Sequence, residues 1–173
     1  MKFNYNLTED DFIKYNLFHV KNSNSALKSL KMQRFLTPVF YTIIAYVFSN
    51  FADIPFLYAF IPFLIVSILW VVFYPKYFYN RITRHTKKMV TEGKNEGLLG
   101  KHSMNLTEEG IVDSTSSGET KVHWSGIIKF KEDDSNLYLY NSSVSAYIIP
   151  KRDLTDLEEV RTYLKTKLPH LEL

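Results

Sequence analysis

The chain has 173 residues, a net charge of +3 and no cysteine. Disulfides, thiol catalysis and cysteine zinc sites are thereby excluded, and so small a charge gives no basis for nucleic-acid binding. The length suits one soluble domain plus a membrane hairpin.

Met1–Leu7 reads as a strand, because Phe3, Tyr5 and Leu7 alternate with Lys2, Asn4 and Asn6. Thr8 is an N-cap candidate with three acids in the turn behind it, predicting a helix through Phe12, Tyr15, Phe18 and His19. The polar run Asn22–Ser25 interrupts that helix. An apolar stretch begins only after Met1–Arg34, a segment rich in Asn, Lys and Ser, which argues against a secretory signal.

Between Arg34 and Lys76 the one charged residue is Asp53. Charge is costly at the bilayer centre, so Phe35–Ala52 and Ile54–Pro75 are predicted to span a membrane as helices. At ~1.5 Å per residue each reaches across a ~30 Å hydrocarbon core, the first only just. Asp53 serves either as a cap for the second span, with Pro55 in its first turn, or as an ion or proton site. Pro62 is expected to kink that span. Trp70, Tyr74, Tyr77 and Tyr79 are expected to form an interfacial aromatic belt, with an aromatic ligand cage as the alternative.

Basic residues crowd the flanks: Lys21, Lys28, Lys31 and Arg34 before the first span, and Lys76, Arg81, Arg84, Lys87 and Lys88 after the second. The connection between spans has none. The positive-inside rule then predicts a multi-pass inner or plasma membrane protein with both termini cytoplasmic. Arg81, Arg84 and Lys88 share a helix face at i, i+3 and i+7. With Lys87 they either contact anionic lipid headgroups or only enforce orientation.

Gly93, Gly97 and Gly100 are expected to end this helix. Short strands with turn signals follow: Lys101–Thr107, Ile111–Thr115, Glu119–Trp124, Ile127–Lys131, Leu137–Asn141 and Ser145–Pro150. Thr155–Glu158 reads as a capping box for a last helix with the apolar stripe Leu157, Val160, Leu164 and Leu168, ended by Pro169. The fold class expected is α+β: a transmembrane helical hairpin plus an antiparallel pleckstrin-homology-like barrel capped by the C-terminal helix. The divisions are 1–34, 35–75, 76–100 and 101–173, with the 1–7 strand completing the last.

Leu106-Thr107-Glu108-Glu109-Gly110-Ile111, Trp124-Ser125-Gly126-Ile127, Leu137-Tyr138-Leu139-Tyr140 and Ala146 to Arg152 together resemble the YcxB-like proteins of bacteria. The resemblance implies a membrane hairpin inserted after an N-terminal segment and a C-terminal domain similar to bacterial pleckstrin-homology domains. It brings no catalytic residues.

The residues point to no reaction. His19, His85, His102, His123 and His170 lack metal-ligand spacing and read as surface or strand-end residues. Gly93–Lys101 fails the phosphate-loop pattern, since His102 follows Lys101 where Ser or Thr is needed. The Asn-x-Ser/Thr triplets at Asn6, Asn105 and Asn141 read as chance on a cytoplasmic segment. Trp124 reads as core, and Lys151-Arg152 as a solvated strand end or a second basic contact. The leading expectation is a non-enzymatic, cofactor-free and metal-free membrane-anchored binding module, whose partners are the bilayer and either anionic lipid or a protein. The alternative is a small oligomeric transporter or channel component. Only Thr37, Thr42, Ser49, Asn50 and Ser67 would supply polar groups to its pore.

Overall fold

Period-two alternation sets the first strand, β1 (Lys2–Leu7), with Tyr5 and Leu7 buried and Lys2, Asn4 and Asn6 exposed. The computed structural model describes residues 1–92, 97–169 and 171. Within them β1 pairs antiparallel with β2 (Gly100–Leu106), so that Phe3 faces Met104 and Tyr5 faces His102. β3 (Gly110–Thr115) and β4 (Gly118–His123) extend the sheet in the order β1-β2-β3-β4. Gly110 is required where it stands, since a Cβ there would lie 2.0 Å from the Val122 carbonyl oxygen on β4.

A second antiparallel sheet, of three strands, contains β5 (Lys129–Glu132), β6 (Asn136–Tyr140) and β7 (Ala146–Pro150). The expected barrel is therefore two sheets, with no hydrogen-bonded closure among the described residues. The break follows β4, where Trp124–Gly126 turns as a short 3₁₀ segment instead of continuing the ladder. Trp124 is buried there and donates through Nε1 to the Thr107 carbonyl at 3.0 Å. The free edge of β1 is covered by the turn after β7. Asp153 accepts from Asn6 N at 2.9 Å, and Arg152 donates to Asn6 O at 2.9 Å. Side chains thus satisfy edge groups that would otherwise invite another strand.

α1 (Glu9–Lys21) begins behind Thr8, whose Oγ1 accepts from Asp11 N at 3.3 Å while Asp11 Oδ2 accepts from Thr8 N at 2.9 Å. This reciprocal pair is a capping box with Asp in the third position. Rings of α1 cover β6: Phe18 lies 4.8 Å and Tyr15 5.4 Å from the Tyr138 ring, centroid to centroid. β6 is consequently buried along both faces, although Leu137 and Leu139 alternate with Tyr138 and Tyr140 as in a half-exposed strand. The last helix, labelled α4 (Leu157–Lys167), presses Val160 and Leu164 into the core made by Met104, Leu106, Ile111, Ile127, Leu137, Leu139 and Ile149. Its N-cap is Asp156, accepting from Glu159 N at 2.9 Å, one residue beyond the Thr155 expected. Asp is at least as good a cap as Thr, and it stands nearer the first apolar residue of the stripe.

These elements belong to one compact unit, Met1–His19 with Thr86–Leu173. The other unit, Val20–His85, holds α2 (Asn24–Phe51) and most of α3 (Phe56–Glu92). The two helices run antiparallel. Tyr46 meets Phe56 near the turn, with ring centroids 6.3 Å apart, and Arg34 Nε donates to Val71 O at 2.8 Å at the far end. Ala45 and Ala59 are buried between them. Small side chains at that seam let the backbones approach.

α3 runs without interruption through Pro62 and Pro75, where a span ending at Pro75 and a separate basic helix were expected. The Gly93 stop lies outside the described residues. α3 is the one described helix long and apolar enough to cross a membrane by length and composition, with a mean hydropathy of 2.5 in its best window. Arg34, Ser49 and Asn50 dilute the apolar character of α2. Asp53 does not cap α3. It sits in the connection at φ 53°, a left-handed conformation that Asp tolerates, three residues before the helix begins.

Candidate functional site

Arg81, Arg84, Lys87 and Lys88 are all exposed on the last turns of α3. Lys87 faces Glu9 at 3.6 Å and Lys88 faces Glu92 at 3.8 Å. Such solvent-exposed pairs are worth little, so neither withholds its ammonium group from an anionic surface. Of the aromatic residues, Tyr77 is exposed and Trp70 and Tyr79 are half-buried. Tyr74 is buried, and its hydroxyl donates to Gln33 Oε1 on α2. Trp70 stacks on Tyr74 at 4.7 Å and donates to Gln33 O at 3.3 Å. These two rings therefore also fasten α2 to α3.

The five polar residues available to a pore each bond to backbone within their own unit. Thr37 donates to Gln33 O, Thr42 to Pro38 O, Asn50 to Tyr46 O, Ser67 to Phe63 O and Ser49 to Ile54 O, at 2.7–3.0 Å. Side chains engaged in this way are compatible with an apolar solvent.

A second constellation lies inside the first unit. Tyr5 on β1, His102 on β2 and Asp113 on β3 share the inner face of the four-stranded sheet and are 5–7% exposed. His102 Nδ1 is 2.9 Å from Asp113 Oδ2, and the Tyr5 hydroxyl donates to Asp113 Oδ1 at 3.3 Å. The Tyr5 and His102 rings stack at 5.0 Å. Burial, then the Asp113 charge and hydrogen bond, push the Tyr5 hydroxyl above its ordinary range, so it remains a donor. A carboxylate oxygen accepts, which assigns the proton of the His102–Asp113 contact to Nδ1. His102 is thus a core residue, not the surface or strand-end residue its spacing suggested. The available signal was parity: His102 alternates in step with Met104 and Leu106, Asp113 with Ile111, and Tyr5 with Leu7. Ser103 and Ser114 alternate out of step and face away, so neither neighbours the imidazole as a nucleophile.

Asp11 and Arg152 form a third polar centre. The Asp11 side chain is fully buried, and Arg152 grips it with two bonds of 2.7 Å. Burial favours the neutral acid, but the bonds from Arg152 and Thr8 outweigh it and hold the carboxyl below its ordinary range. Lys151 contacts Glu132 at 2.8 Å and also donates to Asp133 O. The Lys151-Arg152 dipeptide is therefore an internal tie, not a solvated strand end.

Residues 106–166, from the end of β2 into α4, match the family model for YcxB-like protein. Over this segment the chain is similar to that family. No curated protein and no solved structure gives a significant match. The YcxB-like segment contains Asp113 and Arg152, whereas their partners Tyr5, His102 and Asp11 lie outside it. Both polar centres thus tie the YcxB-like segment to β1, α1 and β2.

Proposed function

We propose that this chain is a two-pass membrane protein whose helices α2 and α3 hold a pleckstrin-homology-like binding unit at the cytoplasmic face, against anionic lipid headgroups or a membrane-bound protein. The observation that carries this reading is where apolar side chains meet solvent. Among the described residues, every exposed large apolar side chain other than Met89, Ile128 and Val144 lies between Met32 and Tyr77. So dense an exposed apolar surface belongs in lipid or against a partner. On α2 the exposed set includes Phe35, Val39, Ile43 and Val47, which gives this helix an outward apolar face despite its Arg34 end. Two antiparallel sheets followed by a C-terminal helix support the pleckstrin-homology-like part. Arg81, Arg84, Lys87 and Lys88 supply the basic surface, each worth ~1 kcal/mol beside an anionic leaflet. The function is binding, not catalysis, and the anchor raises the effective concentration of a weak site by confining it to a surface.

Topology tests this reading directly. The chain has no cysteine, so single cysteines introduced as Asn4→Cys, Asp53→Cys and Lys165→Cys are each unique. A membrane-impermeant maleimide applied to intact cells should label only Asp53→Cys, and lysis should expose the other two. Labelling of one terminal position and not the other from outside, or recovery of the chain in the soluble fraction, would remove the two-pass reading.

A further inference from the structure

A cleft of about 540 Å³ opens on the inner face of the four-stranded sheet, within the size range of small-molecule sites. Its walls are rich in rings: Tyr5, Phe12, Tyr15, His102 and Tyr147. Apolar groups of Leu98 and Ile148 complete them. Among the described residues, the lining carries one fully buried side-chain polar atom without a hydrogen-bond partner. His102 is 7% exposed, and its Nε2 has no hydrogen-bond partner among the described residues. Its other nitrogen is committed to Asp113, and Asp113 is held in turn by Tyr5. In the neutral ring this arrangement makes Nδ1 the donor and leaves a lone pair on Nε2. The stacked Tyr5 ring restricts rotation of the imidazole out of that orientation.

A buried acceptor without a donor is costly, and native structures seldom leave one unpaired without a reason. We infer that the cleft binds a small aromatic molecule carrying one N–H or O–H group, which donates to Nε2 of His102 while its ring packs among Phe12, Tyr15 and Tyr147. The donor requirement comes from the fixed tautomer. The aromatic requirement comes from the walls, where offset and edge-on ring contacts are favourable. No bond is made or broken in this role, and it stands independently of the membrane reading above.

Indole and 1-methylindole are suitable probes, since a methyl group replaces the donor hydrogen, and His102→Phe separates the lost bond from the added bulk. With the full chain in lipid nanodiscs and ¹⁵N-labelled histidine, indole should move the His102 Nε2 resonance toward a hydrogen-bonded value. It should also bind about tenfold more tightly than 1-methylindole, the loss typical of one missing hydrogen bond. His102→Phe should abolish the difference between probes. Asp113→Asn, with its carbonyl still taking the Tyr5 hydroxyl, turns an amide N–H toward Nδ1 and moves the imidazole proton to Nε2, so it should reduce the preference for indole even if packing survives. Equal binding of the two probes by the parent chain would overturn the inference. So would a Nε2 resonance that already reports a hydrogen bond before ligand is added and does not respond to indole, because a resident water would then be its partner.

Discussion

Arg152→Gln removes the two bonds that Arg152 makes to Asp11 and leaves a fully buried carboxylate supported by Thr8 alone. Breaking a wholly buried ion pair from one side costs about 3–5 kcal/mol. The Arg152 side chain is 47% exposed, so water already screens part of the attraction, and roughly 2 kcal/mol is the better expectation. That is about a 30-fold rise in the unfolding constant and roughly a 10 °C fall in Tm for a unit of this size. The chain has two tryptophans, and Trp70 belongs to the helical unit. In a Trp70→Phe background, fluorescence of Trp124 therefore reports unfolding of the sheet unit alone, with the full chain held in nanodiscs. Asp11→Asn combined with Arg152→Gln should recover part of the loss, since no buried charge is then left alone. A single Arg152→Gln variant within ~0.5 kcal/mol of its parent would show that the pair is a solvated surface contact after all.

Acid should weaken the same unit through Asp11 and Glu132. Glu132 is raised by burial but lowered further by Lys151 and Arg161, and Asp11 behaves likewise under Arg152 and Thr8. Both folded values lie below the ordinary 3.8 and 4.5, so their contribution is complete above those values and declines as pH falls through them toward the folded ones; Trp124 fluorescence melts between pH 6 and 3 should show a steeper loss for the parent than for Asp11→Asn. A fragment starting at Gly100 lacks β1 and bares the edge of β2, so it should aggregate in sedimentation experiments, whereas one with Met1–His19 restored through a linker should stay monomeric. If the basic end of α3 contacts lipid, Met1–His19 linked to Tyr79–Leu173 should float with vesicles containing acidic lipid, and less so as salt shortens the Debye length to ~3 Å at 1 M. Changing Arg81, Arg84, Lys87 and Lys88 together to Gln should abolish most of that flotation; retention in high salt would point to apolar insertion instead.

Strands were legible because their parity and turn signals are local. The 3₁₀ turn at Trp124 was not, since Glu119–Trp124 and Ile127–Lys131 read as consecutive strands and only the burial of the indole decides that the ladder stops there. The N-cap of α4 was misplaced by one residue because Thr155 and Asp156 are both competent caps. Asp53 looked like a cap from its neighbours Ile54 and Pro55, but the connection spends it on a left-handed turn instead. The polar centres were the least visible. Asp11 sits with Arg152, and Tyr5 with Asp113, across more than half the chain, and charge or spacing along the sequence carries no sign of such a pair. Residue parity alone marked Tyr5, His102 and Asp113 as inward-facing, and a titratable side chain in phase with Met104 and Ile111 is a signal worth reading in other sheets.

Because β1 pairs with β2, β1 leaves the ribosome ahead of a partner that follows roughly 100 residues later, about 5–20 s at ordinary synthesis rates. Closing a free loop of that length costs roughly 4 kcal/mol from the logarithmic term alone. Packing of α2 against α3 shortens the effective loop that β1 and β2 must close. During the delay β1 is an orphan template. Its outward Lys2, Asn4 and Asn6 make it a poor one, since a polar flank discourages pairing with strangers. The helix pair thus has a consequence apart from any membrane: it shortens the distance along the chain that a strand and its neighbour must bridge.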